Sequence, residues 1–402
     1  MLDTYWVVTL IGAALLLIFG LADIKKVGAA LIASNAINPL KILVLFISMT
    51  VLSVFLDELG FFRFLANAAL RKAKNGQMRL FLILYATVSI LTVFTSNDII
   101  ILSFTPFICY FSKNAKISPM PYLAAEFVAA NTWSMMLVIG NPTNIYLATK
   151  AGINFVEYLT VMLLPTLLGG AVAFFALLLL FKNKLSAPIS GEAEDQRIND
   201  KPLLSVGIIH LSVCTLLLAI GSYINLEMWL VSLIAVISLF LSVSVVSIAR
   251  RKFPRELTHS LKRAPWQLIP FILSMFVMIL SLGEFGVTDM IAEALGERSV
   301  ILSYGISSFL SANLVNNIPM SVLFAEIIPT GAEFSTAAVY ATVIGSNIGA
   351  VFTPIGALAG IMWCNILSKH NLKFCYLDFL KIGITVAIPT LFASLLGLYI
   401  VL

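Results

Sequence analysis

Val93-Phe94-Thr95-Ser96-Asn97-Asp98-Ile99-Ile100 is the stretch that decides the fold. It sets four polar residues between two apolar runs, 80–94 and 99–112. A membrane-spanning helix needs roughly 20 apolar residues, and each run falls short. Irregular backbone survives at membrane depth only where protein buries it or where it lines a wet cavity. Two short runs around a polar tip therefore read as a re-entrant hairpin. The pattern returns at 299–312 and 318–329 around Asn316-Asn317-Ile318-Pro319.

The rest of the chain supplies the setting. Of 402 residues, 60% are hydrophobic and 11% charged, with a mean hydropathy of +1.01. Soluble chains carry about 25% charged residues. The deficit excludes a soluble enzyme, a disordered protein and a nucleic-acid binder. It leaves an all-α polytopic membrane protein with about ten to twelve membrane segments. The first apolar run, near Tyr5 to Gly20, lacks a basic start and reads as a first span rather than a cleavable signal. The four cysteines, Cys109, Cys214, Cys364 and Cys375, form no Cys-x-x-Cys pair. With three histidines and no HExxH spacing, no metal site is expected.

Spans are expected at 5–22, 27–38 (short), 41–56, 155–181, 204–222, 226–247, 267–283 and 376–402, with interrupted runs at 120–149 and 335–367. The resulting organisation is N-terminal spans at 1–40, a first repeat at 41–182, a linker with two spans and cytoplasmic loops at 183–266, and a second repeat at 267–402. The loop from Arg250 to Arg263 holds six Lys/Arg and one Glu, so it is cytoplasmic by the positive-inside rule. Counting spans backward puts Arg71, Lys72, Lys74, Arg79, Lys113, Lys116, Lys182 and Lys184 on the same side. Counting forward puts Glu284, Asp289, Glu293, Glu297 and Glu333 outside, opposed only by Arg298.

The two halves match at low identity. Ser48-Met49, Leu56, Glu58 and Gly60 align with Ser274-Met275, Leu282, Glu284 and Gly286; Asn97-Asp98 aligns with Asn316-Asn317; Asn131, Ile139 and Gly140 align with Asn347, Ile355 and Gly356. The charge around the hairpins changes from basic to acidic between halves, so the repeats should be inverted. Each would hold one re-entrant hairpin and one discontinuous helix, the mark of secondary transporters.

Four polar breaks result. Two are the hairpin tips, Thr95-Ser96-Asn97-Asp98 and Asn313 through Pro319. Two are broken helices, Asn131-Thr132 running to Gly140-Asn141-Pro142-Thr143-Asn144 and Gly345-Ser346-Asn347 running to Thr353-Pro354-Ile355-Gly356. Gly and Pro unwind the chain, and helix N-termini then face a cavity with partial positive charge. A lone Asn or Thr in a membrane helix is ordinarily interhelical glue; four clusters at matched positions point to a site. The substrate- or ion-binding residues are expected to be Ser96, Asn97, Asp98, Asn131, Thr132, Gly140, Asn141, Thr143, Asn316, Asn317, Ser346, Asn347, Thr353 and Pro354. Such a site suits a small oxyanion, a neutral hydroxide, or an anion with bound sodium. Asp98 and Glu126 are the candidate proton carriers; Asp98 also suits a helix cap. Glu326 and Asp57-Glu58 read as structural groups near span ends, and Trp133 either lines the cavity or packs.

The chain resembles the arsenite/antimonite efflux permeases of the ion transporter superfamily nearly end to end. The resemblance rests on Leu56-Asp57-Glu58-Leu59-Gly60-Phe61-Phe62, Asn75-Gly76, Asn97-Asp98 with Thr105-Pro106, Ala264-Pro265-Trp266-Gln267, Asn316-Asn317-Ile318-Pro319, and Thr353-Pro354-Ile355-Gly356-Ala357-Leu358-Ala359 with Trp363. It implies a multi-pass protein of the inner membrane that exports trivalent arsenic or antimony hydroxides using the proton motive force. It also implies a homodimer and, in some members, a separate pump ATPase. The site departs from the permease pattern. Ala130-Asn131-Thr132 stands where the permeases carry Ala-Asp-Thr, and Gly345-Ser346-Asn347-Ile348-Gly349 where they carry Gly-Cys-Asp-Leu-Gly. A soft thiol that would suit arsenic is thus replaced by a hydroxyl. Gly140-Asn141-Pro142-Thr143-Asn144 also resembles the sodium/proton antiporter and dicarboxylate branches. The expected function is secondary active transport of a small anion or metalloid oxyacid. The alternatives are a sodium- or proton-coupled carboxylate or inorganic-anion carrier, a sodium/proton antiporter, and a channel. No catalytic dyad or metal cluster favours an enzyme.

Overall fold

The computed structural model describes residues 5–32, 38–73, 76–186, 198, 200–221, 226–329, 334–372 and 376–402. Lys74, Asn75, Glu333, Cys375 and much of the 183–203 loop lie outside the described residues. The helices, in chain order, are α1 (Tyr5–Ile18), α2 (Ile24–Ile32), α3 (Pro39–Glu58), α4 (Phe61–Lys72), α5 (Gln77–Phe94), α6 (Asn97–Asn114), α7 (Met120–Trp133), α8 (Pro142–Lys150), α9 (Phe155–Phe181), α10 (Lys201–Gly221), α11 (Met228–Ala249), α12 (Arg255–Arg263), α13 (Leu268–Glu284), α14 (Val287–Leu295), α15 (Val300–Val315), α16 (Asn317–Ile327), α17 (Ser335–Phe352), α18 (Leu358–Lys369), α19 (Tyr376–Ile382) and α20 (Ile388–Val401). A π-helical turn, Gly383–Ala387, joins the last two. Gly383 sits there because a Cβ would lie 2.7 Å from the Phe352 carbonyl oxygen.

Local chemistry sets the helix starts. Asn38 caps α3 by accepting from the Leu40 N–H at 2.8 Å, with Pro39 in the first turn. Asn154 caps the 27-residue α9 by accepting from the Glu157 N–H at 2.9 Å. Among the described residues, eight helical stretches are long and apolar enough to cross a membrane: 39–58, 77–94, 155–181, 201–218, 228–249, 255–284, 335–352 and 377–401. The sequence estimate of ten to twelve came from chain length; α7 and α8, the pieces of the interrupted run 120–149, and α15 and α16, the half-runs of the second hairpin, are individually shorter. α5, with 18 residues, reaches full span length, whereas α15 and α16 remain short apolar helices.

Packing partners come in matched sets. α3 packs on α4 and α6, as α13 packs on α14 and α16; α5 packs on α6 and α7, as α15 packs on α16 and α17; α7 packs on α9, as α17 packs on α20. Between the halves, α6 meets α18 and α8 meets α16, while α3–α13, α7–α17 and α9–α20 pair directly. α1 lies on α13, and α10, α11 and α12 lie on α3. Ion pairs join helix ends: Arg263 to Asp57 and Glu58, Arg250 to Asp200, Lys26 to Glu284, Lys41 to Glu227 and Lys150 to Glu326.

Three expectations need correction. Gly345-Ser346-Asn347 is not unwound; α17 runs through it and ends at Phe352, so this break occupies 353–357. The glycine serves contact instead, since a Cβ on Gly345 would lie 2.3 Å from the Gly305 carbonyl oxygen of α15. Asn131-Thr132 likewise forms the last turn of α7, and the irregular backbone starts at Ser134. The hairpin tips also match one residue differently from the sequence alignment. Asn97 and Asn317 each open the second helix of their pair, so the shift is 317 − 97 = 220 residues.

Candidate functional site

The first break is built by amide side chains that replace missing helix bonds. α7 stops at Trp133, a 3₁₀ turn covers Val138–Gly140, and α8 restarts at Pro142. Asn141 caps α8 by accepting from the Thr143 N–H at 3.2 Å. Asn144 Nδ2 donates to the carbonyls of Ser134 (2.8 Å) and Leu137 (3.2 Å), tying the loop to the helix start. Gly140 is required: a Cβ there would lie 2.1 Å from the Ser134 carbonyl oxygen.

Asn347 of α17 closes this loop from the other half of the chain. Its Oδ1 accepts from Ser134 Oγ and Asn141 Nδ2, both at 3.0 Å. Its Nδ2 donates to Asn144 Oδ1 at 2.7 Å and to the Val343 carbonyl at 2.8 Å. Asn97, at the first hairpin tip, donates from Nδ2 to Asn131 Oδ1 at 3.0 Å. Asn131 donates on to the Phe127 carbonyl at 2.8 Å. Asn97, Asn131, Asn141, Asn144 and Asn347 are all buried, at 1% exposure or less. In this conformation the network is closed to solvent.

The second hairpin tip forms a neighbouring cluster. Asn316 accepts from the Ile318 N–H at 3.3 Å and donates to the Ile355 carbonyl at 3.0 Å; the Asn317 N–H donates to the Gly356 carbonyl at 3.0 Å. Thr353 donates to Asn313 Oδ1 at 2.6 Å. The structure therefore pairs Asn97 with Asn131 and Asn141 with Asn347, and the two pairs meet at Ser134, whose hydroxyl lies within reach of the Asn131 carbonyl and Asn347 Oδ1. It places Asn316, Asn317, Thr353 and Pro354 beside the C-terminal end of α17. Among the described residues, five of the expected site side chains carry a buried oxygen without a partner: Ser96 Oγ, Asn97 Oδ1, Thr132 Oγ1, Asn317 Oδ1 and Ser346 Oγ. Buried polar groups are nearly always paired. These are hard oxygen donors of the kind alkali and alkaline-earth cations take. Among the described residues no three His, Cys, Asp or Glu side chains converge on a metal-sized site.

The carboxylates have separate settings. Asp98 turns away from the amides and lines a cavity against α3 and α18. Glu126 is fully buried and takes a bifurcated hydrogen bond from Thr105 Oγ1, at 2.8 and 3.1 Å. Glu326 bridges α16 to Lys150 of α8 at 2.7 Å. Asp57 is 2% exposed and receives both Ser103 Oγ (2.7 Å) and Arg263 (2.7 Å). Trp133 packs, reaching Tyr85 Oη at 3.4 Å and lying where a Cβ on Gly170 would be.

Residues 4–342 match a family model described as citrate transporter. The chain belongs to that family. It is 29% identical over 374 residues to an arsenical pump membrane protein of Escherichia coli, covering 88% of this chain and 84% of that one. It is 25% identical to a putative arsenical pump membrane protein of Bacillus subtilis (strain 168), covering 96% and 92%. Its fold is similar to the crystal structure of the YdaH transporter of Alcanivorax borkumensis, with a TM-score of 0.60, 14% identity, and 89% and 84% coverage. The chain is thus a multi-pass membrane transporter, not an enzyme, and its partners are a small molecule or ion and the surrounding lipid.

Sequence reading gave no role to Ser134, and it put Asn313 in the second polar tip without naming it among the binding residues. Ser134 follows Asn131 by three residues and so shares its helix face, a signal that was present. Asn313 precedes its tip by three residues inside an apolar helix, and only the fold brings Thr353 to it.

Proposed function

We propose that this transporter exports an uncharged metalloid hydroxide, arsenite- or antimonite-like, across the inner membrane by alternating access, driven by the proton motive force. The observation that carries this reading is the buried amide and hydroxyl network joining Asn97, Asn131, Asn141 and Asn347. It presents donors and acceptors with no lysine or arginine hydrogen-bonded to it, among the described residues. Such a site favours a neutral solute rich in hydroxyls over a multivalent anion. The similarity to arsenical pump membrane proteins supports the same substrate class. The missing thiol at Ser346 is offset by oxygen ligands that hydrogen-bond the intact hydroxide. Intramembrane carboxylates serve as proton relays, so Asp98 and Glu126 are the coupling groups in this scheme.

The matched packing sets support an inverted repeat in which residues 41–182 and 267–402 carry equivalent hairpins and broken helices. The ion pairs of Arg263, Arg250, Lys41 and Lys150 join residues that the charge-derived topology puts on one side, which supports cytoplasmic 58–79 and 250–263 segments; Lys26–Glu284 fits only if the short 27–38 segment does not cross the membrane. A homodimer and an ATPase partner belong to this proposal through the resemblance alone.

A second reading has its own support. The five unpartnered oxygens suit bound sodium, and the family model is described as citrate transporter; together they favour a sodium-coupled carboxylate or inorganic-anion carrier. A sodium/proton antiporter and a channel are the remaining alternatives. Proteoliposomes under imposed proton or sodium gradients decide among them, with arsenite, antimonite, silicate, phosphate, sulfate, citrate and succinate as solutes. Proton-driven accumulation of arsenite or antimonite is expected. Sodium-driven citrate or succinate uptake would replace the first reading with the second, and purely dissipative flux would indicate a channel.

A further inference from the structure

A cavity of about 400 Å³ lies between α3, α6, α18 and the turn from α12 to α13. Its walls are mainly apolar. The polar groups on it are Thr50, Asp98, Gln267 and Asn365, with Lys262 and Arg263 also contributing. Thr50 is 6% exposed and its hydroxyl has no hydrogen-bond partner among the described residues. Asp98 forms no ion pair or hydrogen bond with a described residue, and it stands in the first turn of α6. α18 also begins on this wall, at Leu358. The partial positive charges of two helix starts therefore meet one carboxylate.

Arg263 would overturn that balance if its charge were free. It is not. Its guanidinium reaches Asp57 at 2.7 Å and Glu58 at 2.6 Å. Asp57 is fixed in turn by Ser103 of α6 at 2.7 Å, and Glu58 lies 3.4 Å from His259. Lys262 is exposed, where salt screens it over about 8–10 Å.

We propose that this cavity is the loading vestibule on the cytoplasmic side. The Asp57–Glu58 clamp on Arg263, together with Asp98 on the inner wall, makes it a charge filter that admits neutral or cationic solutes and turns anions away. The proposal rests on the transport reading above and names the device that would select its substrate class.

Labelling tests it without transport. Asn365→Cys is placed in the full-length protein and labelled in inside-out vesicles with a cationic and an anionic methanethiosulfonate, above the background of the native cysteines. The ratio of cationic to anionic rate should fall about ten-fold with Asp98→Asn, the effect of removing one nearby charge in a partly dry cleft. It should fall similarly with Asp57→Asn/Glu58→Gln, and adding Arg263→Gln to that pair should restore it. If the clamp variants do not fold, Asp98→Asn alone carries the test. An unreactive thiol, or a ratio that Asp98→Asn leaves unchanged, overturns the proposal. Labelling that shows the filter but is not slowed by arsenite or antimonite upholds the vestibule and removes the metalloid reading.

Discussion

Replacing Asn347 by alanine tests whether the two halves of the chain are held together through one amide. Asn347 is fully buried in α17 and makes three bonds to the first break: from Ser134 Oγ, from Asn141 Nδ2 and to Asn144 Oδ1. Side-chain hydrogen bonds inside membrane proteins are worth about 0.6 kcal/mol on average and up to about 1.7. Losing three should cost about 2–5 kcal/mol. Asn141 Nδ2 is then left without its acceptor, and Ser134 keeps only the Asn131 carbonyl at 2.9 Å. The measurement is reversible unfolding in mixed micelles, run as a double-mutant cycle with Asn144→Ala. A coupling energy of at least about 0.6 kcal/mol is expected, because the pair shares a 2.7 Å bond. Transport should be lost in the single variant. Additive energies, with transport retained, would refute the claim that this amide joins the halves and shapes the site.

Other substitutions give sharper contrasts. Gly140→Ala should cost about 3 kcal/mol or more, since its Cβ would meet backbone at 2.1 Å; Gly28→Ala in α2, with nothing within 4 Å, should stabilise by about 0.5–1 kcal/mol. Thermal unfolding of the two variants side by side checks this, and equal effects would contradict the geometry. Asp98→Asn should abolish proton-driven transport while leaving substrate exchange, and unchanged driven transport would remove Asp98 from coupling. Lys150→Met should destabilise by about 1–3 kcal/mol through the partly buried Glu326 left behind, and the double variant with Glu326→Gln should recover part of that loss. Glu227, the residue before the span at 228–249, is held below the ordinary glutamate value of 4.5, first by its hydrogen bond from Lys41 and then by that from Trp229. A depressed carboxylate stabilises the fold above that value and stops doing so as pH falls through its folded-state pKa. Unfolding temperature should therefore fall on acidification below about pH 4.5, and less steeply in Lys41→Met.

Much of the fold was legible because membrane helices announce themselves locally. Apolar runs of sufficient length, capped by Asn38 and Asn154, appear where the sequence pattern puts them. The breaks were legible as polar tips, but their extent was not. Gly345 looks like a helix breaker in the sequence, yet its missing Cβ admits Ser308 and Gly305 of α15, and the helix continues. A glycine's meaning depends on what lies opposite it, and that is not written nearby in the chain. Asp57 shows the same limit: it reads as a helix-end group, and only packing brings Ser103 and Arg263 to it across 46 and 206 residues.

By itself, the sequence determined that this protein lives in lipid and which short polar segments interrupt its helices. Each of these follows from the cost of exposing backbone or charge to hydrocarbon, which acts residue by residue. The tertiary structure alone decided that Asn97, Asn131, Asn141 and Asn347 share one network, that Asp98 faces a separate cavity, and that Glu126 is sealed against Thr105. Those outcomes depend on which helix faces meet, and an amide in a membrane helix has no preferred partner until the packing of distant segments supplies one.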